Sequence, residues 1–353
     1  MWSKNTFTER LNLTWPILQA PMGWLSSPAL AAAVSNEGAL GSLGMFGYSA
    51  EDAERRIAGF RQQSGGSLNV NYPLWPRSAP RSETVERMRK RLEPHYAAKE
   101  LGPVPYPTNS AGEVTAEHLD MLLRVKPEMV SFHFGVPEPD IVQAIKDAGI
   151  FIISSATTVA EALALERAGV DAIIAQGLEA GGHRGTFSGV DLSLQPTLVA
   201  LLPQAVDAVS VPVIAAGGIA DGRQMAAAFV MGASAVQLGT AFLHCEEANV
   251  LDAHRRALLE SNDACTLVTD MLTGRPARYI RNRLTDDLIA AKIEPVSFPA
   301  QLSLIAPLEK AGDPEFSVLL AGQSASMGRN SSASTLVKSL VEETERSLRR
   351  LLS

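Results

Sequence analysis

Eight short apolar runs, each followed by a stretch of helical spacing, constrain this chain more than any other feature. They fall near residues 16–20 (PILQA), 39–43 (ALGSL), 67–72 (SLNVNY), 129–133 (MVSFH), 149–154 (GIFIIS), 171–176 (DAIIAQ), 211–216 (VPVIAA) and 234–238 (SAVQL). Near-continuous apolar runs of this length are what strands covered on both faces look like, and parallel strands need crossovers that are usually helices. Such crossovers are present in Thr158–Ala168 (TVAEALALERA) and in Arg223–Met231. Thr157 or Thr158 can cap the first of these, and Glu161, three residues after Thr158, fits a capping box. Eight strands alternating with helices match an α/β fold of the (β/α)8 TIM-barrel type better than an open doubly wound sheet.

Two regions break the rhythm. Residues 73–128 hold a charged helix (SETVERMRKRLEPHYAAKE) and a Pro-rich turn, and the basic cluster Arg87, Arg89, Lys90 and Arg91 reads as a solvated helix face. Residues 245–320 no longer alternate strand with helix, which predicts a smaller, partly helical second domain capping a barrel of residues 1–244. Residues 321–353 return to the barrel and end in an amphipathic helix over Ser334–Ser353, with Val337, Leu340, Val341, Thr344, Leu348 and Leu351 on one stripe.

Charge and composition exclude several classes of function. With 31 Lys+Arg against 38 Asp+Glu the net charge is −7, and no basic stripe exists for nucleic acid or an anionic membrane. The uncharged stretches 11–36 and 224–245 are long enough to span a bilayer, yet prolines interrupt the first and polar residues both, as in buried parallel α/β elements. The first residues carry no signal-peptide pattern, and Cys245 and Cys265 are too few for a disulfide framework or a zinc site. The expected location is the cytoplasm.

The active site of such a barrel lies at the C-terminal strand ends, with phosphate often held after strands seven and eight. Strand seven runs into Gly217-Gly218 and strand eight into Gly239-Thr240, two glycine sites that let backbone N–H groups approach a phosphate. The helix after strand seven is expected to add its dipole. Strand six ends in Gln176-Gly177-Leu178-Glu179-Ala180-Gly181-Gly182-His183-Arg184-Gly185, a loop flexible enough to wrap a flat ligand. His183 then projects over the barrel mouth, where an imidazole can take or give a proton. Glu179 and Arg184 are better suited to ion pairing or loop support. His133, at the end of strand four, is either a second catalytic residue or a satisfied core histidine. No HExxH, Cys/His spacing or carboxylate cluster points to a metal, no GxSxG elbow occurs, and no GxGxxG follows the first strand.

The segments APMGW (20–24), NVNYP (69–73), SFHFG (131–135), QGLEAGGHRG (176–185), AAGGIADG (215–222), QLGTAF (237–242) and AGQS (321–324) together resemble the nitronate monooxygenase family, formerly called 2-nitropropane dioxygenase. The resemblance runs in order from about residue 15 to 324 and implies non-covalent FMN. The phosphate would sit on Gly217, Gly218, Gly239 and Thr240. Pro21, Met22 and Gly23 would pack near the isoalloxazine. Asn69, Gln176, Gly181, Gly182 and Gln237 would bind flavin edges or the ribityl chain, and Gly322 and Gln323 would close the site. His183 matches the family's catalytic histidine, deprotonating a nitroalkane or orienting a nitronate that is oxidised with O2 to a carbonyl compound and nitrite. The family also implies a homodimer.

SFHFG and His133 place the chain nearest the class I enzymes, yet Phe298 and Leu302 stand where tyrosines are expected and Ala306 where a lysine is. Without those groups the pocket suits a small dianion poorly, and a larger or more apolar substrate is expected. Two other readings stay open: an FMN-dependent NAD(P)H reductase resembling the enoyl-acyl-carrier-protein or quinone reductases, and a flavin-binding protein without turnover.

Overall fold

The computed structural model describes residues 2–76, 79–108, 110, 112–189 and 191–352. Eight parallel strands form one sheet: β1 (Ile17–Gln19), β2 (Gly41–Gly44), β3 (Leu68–Pro73), β4 (Met129–His133), β5 (Phe151–Ala156), β6 (Ala172–Gln176), β7 (Val213–Ala216) and β8 (Ala235–Leu238). Each pairs with its sequence neighbours, and β1 pairs with β8 through Ile17–Val236 and Leu18–Gln237. A parallel bridge between Leu18 and Leu40, with N–H bonds from Gln19 to the Leu40 carbonyl and from Leu40 to that of Ile17 (both 2.9 Å), closes the ring. The fold is a TIM barrel, as the alternating runs predict.

Inward-facing Leu18, Leu40, Met129, Ile153, Ile174 and Ile214 pack the interior. Phe7 and Leu11 join that cluster from the short helix Thr6–Arg10, and the Phe7 ring meets Phe151 edge-on at 5.7 Å. Asn5 caps that helix by accepting from the Thr8 N–H (3.0 Å), and its amide donates to the Ser234 carbonyl (2.7 Å). The N-terminal mouth of the barrel is thereby plugged, which leaves the C-terminal mouth for a site.

The helix that follows β8 is only four residues long, Thr240–Leu243. The C-terminal helix Ala333–Leu352 takes its place in the outer ring, packed between helices Gly222–Val230 and Pro28–Asn36. Leu336, Val337, Leu340, Val341 and Thr344 are its buried face, as the stripe predicts, while Ser353 lies outside the described residues.

Over the C-terminal mouth lies a layer built from residues far apart in sequence. Strand Thr266–Thr269 pairs with Ala277–Ile280, which pairs in turn with the two-residue strand Gly182–His183. Helices Arg283–Ala290 and Ala300–Lys310 share its apolar core with helix Ser82–Ala98. That helix buries Val85, Met88, Leu92 and Tyr96, and the Tyr96 hydroxyl donates to the Leu304 carbonyl (2.7 Å). Its basic face is not merely solvated: Arg91 donates to the Asp287 carbonyl (2.8 Å) and Arg89 to that of Val104 (2.9 Å). Among the described residues no helix is long and apolar enough to cross a membrane.

Candidate active site

A cavity opens between the strand ends and the covering layer. Of the residues singled out in the sequence, Pro21, Met22, Gly23, His133, Gln176, Gly181, Gly182, His183, Gly217, Gly218, Gln237, Gly239, Thr240 and Gly322 line it.

Asn69 and Gln323 do not. Asn69 is buried with its amide on the Ser42 hydroxyl (3.0 Å), and the lining position on β3 belongs to Asn71, two residues nearer the mouth. Both asparagines share one face of the strand, and two residues at ~3.3 Å each separate rim from interior. The Gln323 side chain is exposed; only its N–H works here, donating to the Glu179 carbonyl (3.0 Å). Its neighbour Ser324 lines the cavity instead, its hydroxyl on the Gly218 carbonyl (2.7 Å).

Residues 322–324 lace three strand ends together. The Gly322 N–H donates to the Thr240 hydroxyl (2.9 Å), and a Cβ on Gly181 would stand 2.4 Å from the Gly322 nitrogen. Gly217 (φ 113°) and Gly218 (φ 69°) both occupy the left-handed half of backbone space that other residues avoid. The helix after β7 adds less than expected. Asp221 accepts from the Arg223 N–H (2.9 Å), and the Gly222 N–H is spent on Glu343 (3.1 Å), so the first turn is already satisfied. An anion here would be met by the glycine turns.

His183 is held at both levels. Its backbone belongs to the small sheet, opposite Ala277, and its carbonyl accepts from the Gln176 amide (3.1 Å). The ring Nε2 lies 3.0 Å from the Thr273 hydroxyl. Burial, reinforced by the positive fields of His133 and Arg275, pulls its pKa down to about 3, so the ring is neutral at ordinary pH.

His133 has both ring nitrogens engaged, Nδ1 with the Ser155 hydroxyl and Nε2 with the His183 carbonyl (3.1 Å each). Burial brings its pKa to about 4. It combines the two readings left open from sequence: it lines the cavity, and it is satisfied while it braces His183.

Arg184, fully buried, supports the same loop through the Gly177 (2.6 Å) and Gln176 (3.0 Å) carbonyls and the Gln195 amide oxygen (2.9 Å). Glu161 binds the loop beyond. Thr157, Thr186, Phe187 and Ser188 all donate to its carboxylate; burial opposes the charge, but these bonds outweigh it and hold the pKa near 2. The capping box expected at this position is half formed: Thr158 caps the Glu161 N–H (3.2 Å), while the carboxylate turns to the 186–188 loop.

Toward the covering layer the wall is aromatic. Phe298 stands edge-on to His183 (5.1 Å) and to Trp75 (5.0 Å), with Phe46 and Phe134 about 6 Å away. Phe298 and Leu302 stand out in the sequence; Phe46, Trp75 and Thr273 reach the site only through the fold. Among the described residues that line the cavity, none is acidic, basic, Cys or Tyr; the two histidines are its titratable groups.

Residues 4–343 match the family model described as nitronate monooxygenase. The chain belongs to the nitronate monooxygenase family. Membership makes it an oxidoreductase. A probable nitronate monooxygenase of Staphylococcus aureus (strain MSSA476) is 36% identical, the match covering 97% of this chain and 98% of that one. A nitroalkane oxidase of Streptomyces ansochromogenes superposes with a TM-score of 0.90 at 38% identity, over 99% of this chain and 100% of its own. FabK of Thermotoga maritima shares the scaffold at a TM-score of 0.77 and 28% identity, over 99% and 98%. For this family member, then, the shared barrel leaves the reaction to be argued from the site.

Proposed function

We propose that this chain is an FMN-dependent nitronate monooxygenase acting on alkyl nitronates with O2, with His183 as the group that meets the reacting anion. The observation that carries this reading is the buried His183 ring, anchored on Thr273, in a cavity whose other described lining residues carry no charged side chain.

The residues present suit a flavin. Gln237 lines the cavity with its side-chain oxygen buried and unpartnered, a polar atom that a ligand N–H or O–H would satisfy. The glycine turns at Gly217–Gly218 and Gly239 offer backbone to a phosphate, and Pro21–Gly23 at the end of β1 would flank the ring system. Gln176 supports the site indirectly, since its amide is spent on His183 and its oxygen accepts from the Gly185 N–H (2.8 Å). When bound, FMN supplies an electron acceptor for the nitronate, O2 completes the oxidation, and a carbonyl compound and nitrite result.

The protein's own part centres on charge. A base with a pKa near 3 draws a proton poorly from a neutral nitroalkane, a far weaker acid. A nitronate brings its negative charge with it; beside that anion the imidazole's proton affinity rises, so the ring takes up a proton from solvent as the anion binds and the two pair as a salt bridge. His183 therefore favours the pre-ionised nitronate over the nitroalkane. His133 and Gln176 fix the backbone from which the ring projects, and the aromatic wall excludes water.

The test is an anaerobic absorption spectrum of the purified protein mixed separately with a primary alkyl nitronate and with NADH. Bleaching of the flavin by the nitronate with NADH inert is the expected result. Bleaching by NADH with the nitronate inert would move the chain to the reductases.

A further inference from the structure

We propose that the substrate is a nitronate whose body is uncharged and apolar, an aryl or longer alkyl group, and that the wall formed by Phe46, Trp75, Phe134 and Phe298 with Leu302 selects it. This rests on the reading of the site as a nitronate-oxidising one.

Two observations argue it. The first is what lies nearest His183. The Phe298 ring stands 5.1 Å from the imidazole at 68°, and Phe134 at 6.1 Å and 90°. Phe298 passes the aromatic surface on to Trp75 at 5.0 Å and Phe46 at 6.0 Å, while Leu302 and Leu320 extend it. Whatever is attached to the reacting carbon must lie against these rings. Edge-to-face packing leaves ring faces and edges for a flat or branched apolar group.

The second is the absence of any lysine, arginine, aspartate or glutamate among the described lining residues. Arg275 is close, but it is not among the lining residues: its guanidinium is stacked 3.7 Å over the Phe134 ring and donates to the Thr186 carbonyl (2.5 Å). A carboxylate on the substrate body would lose its water with no cation to replace it, the costliest form of burial. An apolar body loses nothing and gains contact area. One negative charge, that of the nitronate itself, is the one His183 can meet.

The experiment compares kcat/KM in air for the nitronates of nitroethane, 1-nitropropane, 1-nitrobutane, phenylnitromethane, 1-nitro-3-methylbutane and 3-nitropropionate. The expected result is a rise of about three- to fourfold per added methylene. Phenylnitromethane should match or exceed the longest alkyl member, and 3-nitropropionate should fall about 100-fold below its near-isostere 1-nitro-3-methylbutane. Phe298→Ala should flatten the chain-length series. Leu302→Lys, at a half-buried position, should narrow the gap for 3-nitropropionate at least tenfold. A wild-type enzyme that turns over 3-nitropropionate as well as its isostere, or one indifferent to chain length, overturns the inference and leaves the nitronate reading standing. An enzyme inert to every nitronate but bleached by NADH removes both.

Discussion

The Nε2 of His183 lies 3.0 Å from the hydroxyl oxygen of Thr273, the side-chain partner of the imidazole. Thr273 donates its one hydrogen to the Arg275 carbonyl (3.1 Å) and takes the Tyr279 hydroxyl hydrogen at 2.9 Å. With its hydrogen on the Arg275 carbonyl, the Thr273 oxygen would accept from His183, an assignment that puts the proton on Nε2 and leaves Nδ1 unprotonated. In the proposed reaction Nδ1 would then be the atom that accepts a proton. Thr273→Val removes the acceptor and should lower kcat/KM by about 10–100-fold with flavin content unchanged, on the scale of other supporting contacts. Thr273→Ser keeps the hydroxyl and should restore most of the rate; equal losses in both variants would make the residue a packing element.

His183→Asn should keep the cofactor and separate two substrates. A base held near pKa 3 already draws a proton poorly from a neutral nitroalkane, so that slow turnover should change little. Nitronates, whose charge His183 meets in the proposed reaction, should lose about 10²–10³ in kcat/KM. Stopped-flow reduction with both forms of one nitroalkane reads the ratio directly, and undiminished rates on both would take His183 out of the reaction.

The buried histidines make stability fall on mild acidification. Burial lowers His183 to about 3 and both His133 and His254 to about 4, against roughly 6.5 in an unfolded chain. As pH drops below 6.5 the unfolded state takes up protons that the native state refuses, so stability is lost between pH 6.5 and about 4. Each such group contributes up to about 1.4 kcal/mol per pH unit. His254 lies away from the cavity lining and bonds the Leu320 carbonyl at 3.0 Å. His254→Gln should be less stable at pH 7 yet show a shallower fall in urea midpoint from pH 6.5 to 5. A slope equal to that of the parent would show that His254 does not carry this linkage.

The barrel was legible because burial on both faces writes a strand as an apolar run, and FIIS, AIIAQ and VPVIAA admit little else. The glycine turns were legible for a similar local reason. What escaped was depth and distance. A period of two places Asn69 and Asn71 on one face but cannot say which reaches the mouth; the resemblance points to Asn69, while the cavity is lined by Asn71. The pairing of Gly182–His183 with Ala277–Arg278 joins segments with no common pattern, so what reads as a glycine loop is a strand edge. Thr273 arrives beside His183 by that same pairing, and nothing in TGRPARYI announces it. Helix Gly222–Val230 began where expected, but the partner at its N-terminus, Glu343, comes from the far end of the chain.

Glu161 offers the sharpest test of how the site is supported. Its carboxylate accepts from the N–H and hydroxyl of Thr157, the hydroxyl of Thr186, and the N–H groups of Phe187 and Ser188, each within 3.0 Å. All of these are donors, so the site is built for an acceptor at every lone pair. Glu161→Gln keeps the shape but turns an NH2 group toward some of them. Leaving buried donors unpaired costs about 1–3 kcal/mol each, and a net loss of roughly 2–4 kcal/mol in unfolding free energy is expected. Because the 186–188 segment follows directly on His183 and Arg184, the damage should reach catalysis as a raised KM as well as a lowered melting temperature. Glu161→Asp, which keeps the charge on a shorter arm, should recover part of both. Were Glu161→Gln as stable and active as the parent, the carboxylate would be a spectator, and the anchoring of the His183 loop would rest on Arg184, Gln176, His133 and the pairing with Ala277–Arg278.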